Sequence, residues 1–311
     1  MNSKVLHLKI ANCQLAVPSN NLSVMRPPQF LLNWLNYFWG VSGTRPTYEL
    51  LVSEYLYGGL KTGRTKSPFD RIVFRSFSQS NEDGILQEIM TQIGETGSKT
   101  FIECGVGDGT ENNSLLLLLN NWKGVWLGGE KLRVEIYSDV QLRFQRCWIH
   151  LENINSIINS SLDWLSLEQS EQLDVFSLDL DGNDYHLCKN LLQSGFLPKV
   201  WIQEYNAVFG PTVKWIMPYS KTHVWRRDSF FGASFASYCS LFGSYGYRAV
   251  ACSATGANVF FVRHDLKFPF DTLPSESDIW LPPKYFLSQN GHRVPVKILK
   301  GLQSDPPPIA K

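Results

Sequence analysis
The chain has 311 residues and a formal net charge of +1, enough length for one large domain or two modest ones around a sizeable core. The near-neutral balance excludes a bulk electrostatic pull toward nucleic acid or an anionic membrane, and no apolar run reaches the ~20 residues of a membrane span. Six cysteines, at 13, 104, 147, 188, 239 and 252, are scattered without a CxxC or paired metal spacing, which argues for reduced thiols in a cytoplasmic protein.

Residues 1–70 are expected to form a helical cap, a lid or a homodimerisation segment. The opening residues have one early Lys and a broken apolar stretch, so they read as ordinary protein rather than a signal peptide. "PPQFLLNWLNYFWGV" and "TYELLVSEYLYGGL" space their apolar residues for helices, with Pro27, Pro28 and Pro46 at the starts. "KTGRTKSP" reads as a basic, turn-rich linker. A second domain is expected over 71–270, with a partly irregular extension over 271–311.

From about Phe74 strand and helix patterns alternate. "SQSNEDGILQEIMTQIG" reads as a helix with Ser80 and Asp83 in a capping-box-like pair. "KTFIECGV" is a strand, "NNSLLLLLNN" a helix, "KGVWLGGE" a strand and "VEIYSDVQLRFQ" a helix. "CWIHLENIN" reads as a strand and "SLDWLSLEQ" as a short helix. "LDVFSLDLDGND" is a strand running into a loop, "YHLCKNLLQSG" a helix, and "PKVWIQEYN" a strand. A helix is expected over 230–243, and "YRAVACSATGANVFFVR" reads as a terminal hairpin. The alternation implies an α/β fold, a Rossmann-like seven-stranded and mostly parallel sheet closed by an antiparallel hairpin.

"FIECGVGDGT" follows the first strand of this pattern, where ligands sit in open α/β sheets. Gly105, Gly107 and Gly109 let the backbone turn tightly and approach a ligand. A dinucleotide loop wants G-x-G-x-x-G, and the third position counted from Gly105 is Thr110. Glu103 at the strand end suits a cationic or amine-bearing ligand better than a pyrophosphate. Glu130, at the end of the second strand, can accept hydrogen bonds from ribose hydroxyls.

Glu103, Gly105, Gly107, Gly109 and Glu130 together resemble the first two motifs of class I S-adenosylmethionine-dependent methyltransferases. The resemblance covers about residues 76–265. A narrower likeness is to the FkbM-like group of bacterial polysaccharide and natural-product clusters, carried by "SQSNEDGIL", "NWKGVWLGGE", "SLDLDGNDY", "IQEYN" and "GANVFFVR". It implies S-adenosyl-L-methionine as cofactor, lying across the tips of the first, second and fourth strands. It places Asn153 and Asn155 near the adenine, with an ordinary loop cap as the competing role. Ser78, Gln79 and Asp83 would lie at the methionine end, with helix capping as the alternative for Ser78 and Asp83. The implied reaction is methyl transfer to a small polar acceptor such as a sugar hydroxyl. Rival readings are a protein that binds the nucleoside or uses it for chemistry other than methyl transfer, and an NAD-dependent dehydrogenase.

A second patch gathers carboxylates. Asp179, Asp181 and Asp184 fall at and after one strand, and Glu204 and Asn206 at the tip of the next. Adjacent strand tips lie ~5 Å apart, so these groups converge and raise one another's pKa. One solution is a hard cation such as Mg²⁺ on Asp179, Asp181, Glu204 and Asn206. Metal-dependent small-molecule O-methyltransferases resemble this arrangement, although Tyr205 separates the acid from the amide here. A metal-free solution makes Asp179 a cofactor-amine ligand and Asp181 a general base. A polar turn at "DGND" is the third. His223 lies in the loop after the fifth strand and is either a base or a surface histidine. Arg226 and Arg227 suit an anionic acceptor group or plain solvation, and His186 reads as structural.

Overall fold
The structure is a computed structural model that describes residues 67–72, 74–94, 97–133 and 141–284, and the backbone of the strands over 5–10 and 13–18. Two compact units divide the chain, Met1–Thr65 and Lys66–Lys311. In the first, β1 (Val5–Ile10) and β2 (Cys13–Pro18) form an antiparallel hairpin with Ile10 opposite Cys13. The helices expected from "PPQFLLNWLNYFWGV" and "TYELLVSEYLYGGL" lie outside the described residues, as does the tail from 285.

The second unit is built on a seven-stranded sheet. Its strands are β3 (Thr100–Cys104), β4 (Lys123–Gly128), β5 (Leu142–Arg146), β6 (Val175–Leu178), β7 (Val200–Glu204), β8 (Tyr247–Cys252) and β9 (Asn258–Arg263). Their spatial order is β5-β4-β3-β6-β7-β9-β8. The first five strands of that order are parallel, and β9 runs antiparallel to both β7 and β8. The expected mostly parallel α/β sheet with a terminal hairpin is therefore present.

Burial on both faces explains the apolar runs "FIEC", "VFSL" and "VWIQ", since central parallel strands have no solvent face. Alternate residues along each strand feed two cores. Ile102, Val125, Leu127 and Phe176 pack with α3 (Ile154–Leu165), α4 (Asp184–Gln193) and α5 (Phe235–Gly243). Phe101, Trp126, Val175 and Val200 pack on the other face with α1 (Glu82–Ile93) and α2 (Leu115–Leu119). At the far edge Trp280 and Leu281, just after α6 (Glu276–Ile279), pack against the first core. Tyr205 donates its hydroxyl to the Leu281 carbonyl at 2.8 Å.

Four local expectations are corrected. Leu142–Arg146 is a strand, not the end of a helix, because "LRFQR" alternates and pairs in parallel with β4. "CWIHLENIN" is not a strand; it is a turn leading into α3, which starts at Ile154. The 230–243 helix starts only at Phe235, where Ser234 caps it by accepting from the Ser237 amide at 3.3 Å. Ser80 and Asp83 make no capping box. Asp83 reaches back to accept the amides of Ser76, Phe77 and Ser78 at 2.8, 2.7 and 2.9 Å. One buried carboxylate thus fixes the loop entering α1.

The chain reverses its winding between β3 and β6, and at this crossover the two strand exits touch. Gly105 has φ +95, and a Cβ there would overlap the Asp179 carbonyl oxygen. Gly107 has φ +50 with open space around its would-be Cβ. Replacing Gly107 by Ala should cost only the ~1–2 kcal/mol of a left-handed residue. Gly105→Ala adds a backbone overlap and should cost clearly more, ~3 kcal/mol or above. Urea unfolding of the two variants side by side checks this; equal losses would contradict it.

Candidate functional site
In open α/β sheets of this kind the ligand crevice lies outside the C-terminal strand ends at the crossover, here those of β3, β4, β6 and β7. Gly105 donates its amide to the Leu127 carbonyl at 2.8 Å, and Asp179 donates to Cys104 at 3.1 Å. The first residues of the glycine loop are thereby pinned to β4 and β6. Gly109, at φ +80, packs under Leu132 and Trp126. Asp108 is buried, accepts the Thr110 amide at 3.2 Å and pairs with the Arg133 guanidinium at 2.9 Å. Two of the three glycines therefore serve internal packing, and Gly107 is the one that leaves open space.

Glu103 is spent within the protein. Its carboxylate is buried and accepts the Asn113 amide at 2.8 Å and the Ser114 amide at 3.0 Å, together with the Ser114 hydroxyl. Trp126 donates its indole N–H to the same hydroxyl at 2.8 Å. Glu103 thus ties the far end of the loop to the strand that starts it. Burial pushes its pKa from 4.5 up to about 7, against the pull of those donors.

Glu130 is different. It stands exposed two residues past β4, and no hydrogen bond or ion pair engages it among the described residues. Beside it, Trp148 is 60% exposed and lies against Gly129, where a Cβ would come within 3.3 Å of the ring. Trp148 is absent from the sequence-based expectations; its signal, a Trp just past a strand tip, shows only once β5 is placed at Leu142–Arg146. Asn153 is occupied by its own loop, accepting from the His150 amide and donating to the Trp148 carbonyl at 2.9 and 2.8 Å. Asn155, in the first turn of α3, keeps a buried and unpartnered Oδ1. Gln79 lies half-buried before α1 with no side-chain partner.

Across the crossover the carboxylates converge. Oxygens of Asp179, Asp181 and Glu204 all lie within 4.8 Å of one another. Carboxylates this close favour protonation of at least one of them unless a cation lies between. Burial first, then repulsion from Asp181, Asp184 and Glu103, pushes the Asp179 carboxyl well above the usual carboxylate range; burial first, then repulsion from Asp179, Asp184 and Asp181, does the same to Glu204. Asp181 sits in the left-handed region at φ +56; its side chain is exposed at the surface, yet the protein packed around its carboxyl desolvates it enough that this, followed by repulsion from Asp184, raises its pKa to about 6. Asp184 is satisfied locally by the Leu180 and Gly182 amides at 2.7 and 2.8 Å.

His223 joins this group. Its ring lies where a Gly182 Cβ would project, and it lowers the pKa of both Asp181 and Asp184. Its Nε2 is buried without a partner. Asn206 does not join. Its amide donates to the Ser229 and Phe231 carbonyls at 2.8 and 3.1 Å, and its Oδ1 accepts from the Val208 amide at 3.3 Å. The expected metal ligand is a brace for the loop after β7. His186 is structural, its Nε2 2.7 Å from the Met217 carbonyl. No protein-family model and no curated protein matches this chain.

The Glu103 carboxyl gives a pH signature. Its folded pKa lies above its unfolded value, so the folded protein holds an extra proton between about 4.5 and about 7. Stability contributed by this group is therefore present at low pH and falls as pH rises through that window, by up to ~3 kcal/mol. Glu103→Gln removes the titration. The unfolding free energy of the wild type minus that of the variant should fall between pH 5 and pH 8. A difference that does not change with pH would mean that the three donors keep Glu103 ionised throughout.

Proposed function
We propose that this chain transfers the methyl group of S-adenosyl-L-methionine to a hydroxyl of a small polar acceptor, a sugar or sugar-containing metabolite. The observation that carries the reading is the division of the cleft at the crossover. On one side stand an open glycine, Gly107, and an unpartnered carboxylate, Glu130. On the other stands a cluster of carboxyls with raised pKa beside His223. The first half fits a nucleoside: Glu130 accepts from the ribose hydroxyls, and the exposed Trp148 ring offers a face to the base. With Glu103 engaged internally, Asp179 is the carboxyl that remains beside the loop for an amine.

When bound, the cofactor supplies an electrophilic methyl on sulfur, with a neutral thioether as leaving group. The protein's part is alignment and proton removal. Asp181, with a pKa near 6, and His223, with its free Nε2, take the acceptor proton. The same fold without transfer, binding the nucleoside alone, is the rival.

A cation on the acid cluster is a second reading, favoured by the mutual proximity of Asp179, Asp181 and Glu204 and by the buried, unpartnered Glu204 Oε2. An all-oxygen set fits a hard cation such as Mg²⁺. It would lower the pKa of an acceptor hydroxyl and relieve the repulsion among these three carboxylates.

Calorimetry with adenosylmethionine, adenosylhomocysteine and NAD tests the cofactor. Both sulfur nucleosides should bind and NAD should not. Glu130→Ala should weaken nucleoside binding about 10- to 100-fold, the worth of a charged hydrogen-bond pair. Unchanged affinity would remove Glu130 from the site. Asp181→Asn and His223→Gln should lower kcat with little effect on nucleoside affinity. EDTA treatment separates the two versions of the acid cluster: activity lost and restored by Mg²⁺ supports the cation, and EDTA-resistant turnover eliminates it.

A further inference from the structure
The loop between β7 and α5 exposes more apolar surface than any other described segment. Eight large apolar side chains stand exposed among the described residues, and six of them lie here: Val208, Val213, Ile216, Val224, Trp225 and Phe230. Val224 and Phe230 are 64% and 52% exposed. Ring contacts tie the loop to the site. Trp215 stacks on Phe209 at 4.7 Å and meets Phe230 at 5.8 Å, and Phe230 lies 6.5 Å from His223. The patch therefore reaches His223 beside the acid cluster.

Charge on the same loop is one-sided. Residues 208–230 hold four basic side chains and one acidic one. Lys221 is paired with Glu152 at 3.0 Å and Lys214 donates to the Ser240 hydroxyl at 3.0 Å. Arg226 and Arg227 are exposed, with no partner among the described residues. They follow Val224 and Trp225 directly in "VWRR". Trp225 donates its indole N–H to the Asp228 carbonyl at 2.8 Å, and Asp228 turns its carboxylate to the Phe230 amide at 3.0 Å. The turn thus uses its own acid internally and leaves its cations outward.

We propose that this loop docks the mouth of the cleft on an anionic lipid surface. Apolar tips enter the headgroup region, an aromatic ring sits at its boundary, and guanidinium groups meet lipid phosphates. Charge complementarity selects this occupant: a protein partner or a second copy of the chain would need a matching acidic face for two adjacent unpaired arginines. The inference is independent of the methyl-transfer reading.

Co-sedimentation of the full chain with vesicles tests it. Binding should be strong to phosphatidylcholine–phosphatidylglycerol vesicles, weak to phosphatidylcholine alone, and should decline with added salt. Arg226→Ala/Arg227→Ala should weaken binding to the anionic vesicles roughly 30-fold, at about fivefold per charge. Val224→Ser/Trp225→Ser should weaken it about tenfold or more. Unchanged thermal melting shows that the variants are folded, and nucleoside calorimetry on them reports separately on the cofactor reading. The proposal is overturned by no binding to either vesicle at ~1 mM lipid, by variants that sediment like wild type, or by concentration-dependent self-association in light scattering that Val224→Ser/Trp225→Ser abolishes.

Discussion
The backbone of Gly105 and the carbonyl of Asp179 lie against each other where β3 and β6 leave the sheet, with no room for a side chain between them. This contact sets the geometry of both halves of the cleft. It turns the chain after β3 into the left-handed region, so the loop folds back over β4 rather than extending. It also fixes the point from which "DLDGND" departs, and so which way Asp179 and Asp181 can reach. Parallel strands wound in opposite directions leave a crevice at such a crossover, and here the crevice walls are backbone.

Around that contact the protein gathers more negative charge than it neutralises. Glu103, Asp179, Asp181, Asp184 and Glu204 influence one another electrostatically. Two of them are handled by backbone amides: Glu103 by those of Asn113 and Ser114, and Asp184 by those of Leu180 and Gly182. These bonds do structural work, closing the glycine loop and fixing the start of α4. Asp179, Asp181 and Glu204 have no such donors and must share protons or take a positive group. The difference between a bracing acid and a reactive one lies in the supply of amides, not in the residue type.

The same separation of local from global holds for charge on the outside. A net charge of +1 suggests indifference to anionic surfaces, but it averages over a loop whose two arginines have no partner among the described residues. Cations paired with acids, as in Lys199 with Asp174 at 2.6 Å, contribute to the sum and not to the surface field. Where unpaired cations sit beside exposed Val224 and Trp225, the local chemistry departs from the average.

The sequence by itself determined the sheet class, the strand that carries the glycine loop, and the gathering of Asp179, Asp181 and Glu204. Apolar runs of strand length separated by helical spacing leave few other packings. It misplaced β5 and the start of α3, because a five-residue alternation such as "LRFQR" is too short to stand out from helical spacing around it. Only the tertiary structure decided what each polar residue does. Asp83 and Asn206 brace loops, Glu103 closes the glycine turn, and Glu130, Trp148 and His223 are left with unengaged surface or atoms. The reason is physical: a carboxylate or amide at a strand tip can bind a ligand only if no backbone amide or carbonyl reaches it first. Which backbone groups reach it depends on contacts between segments far apart in the chain.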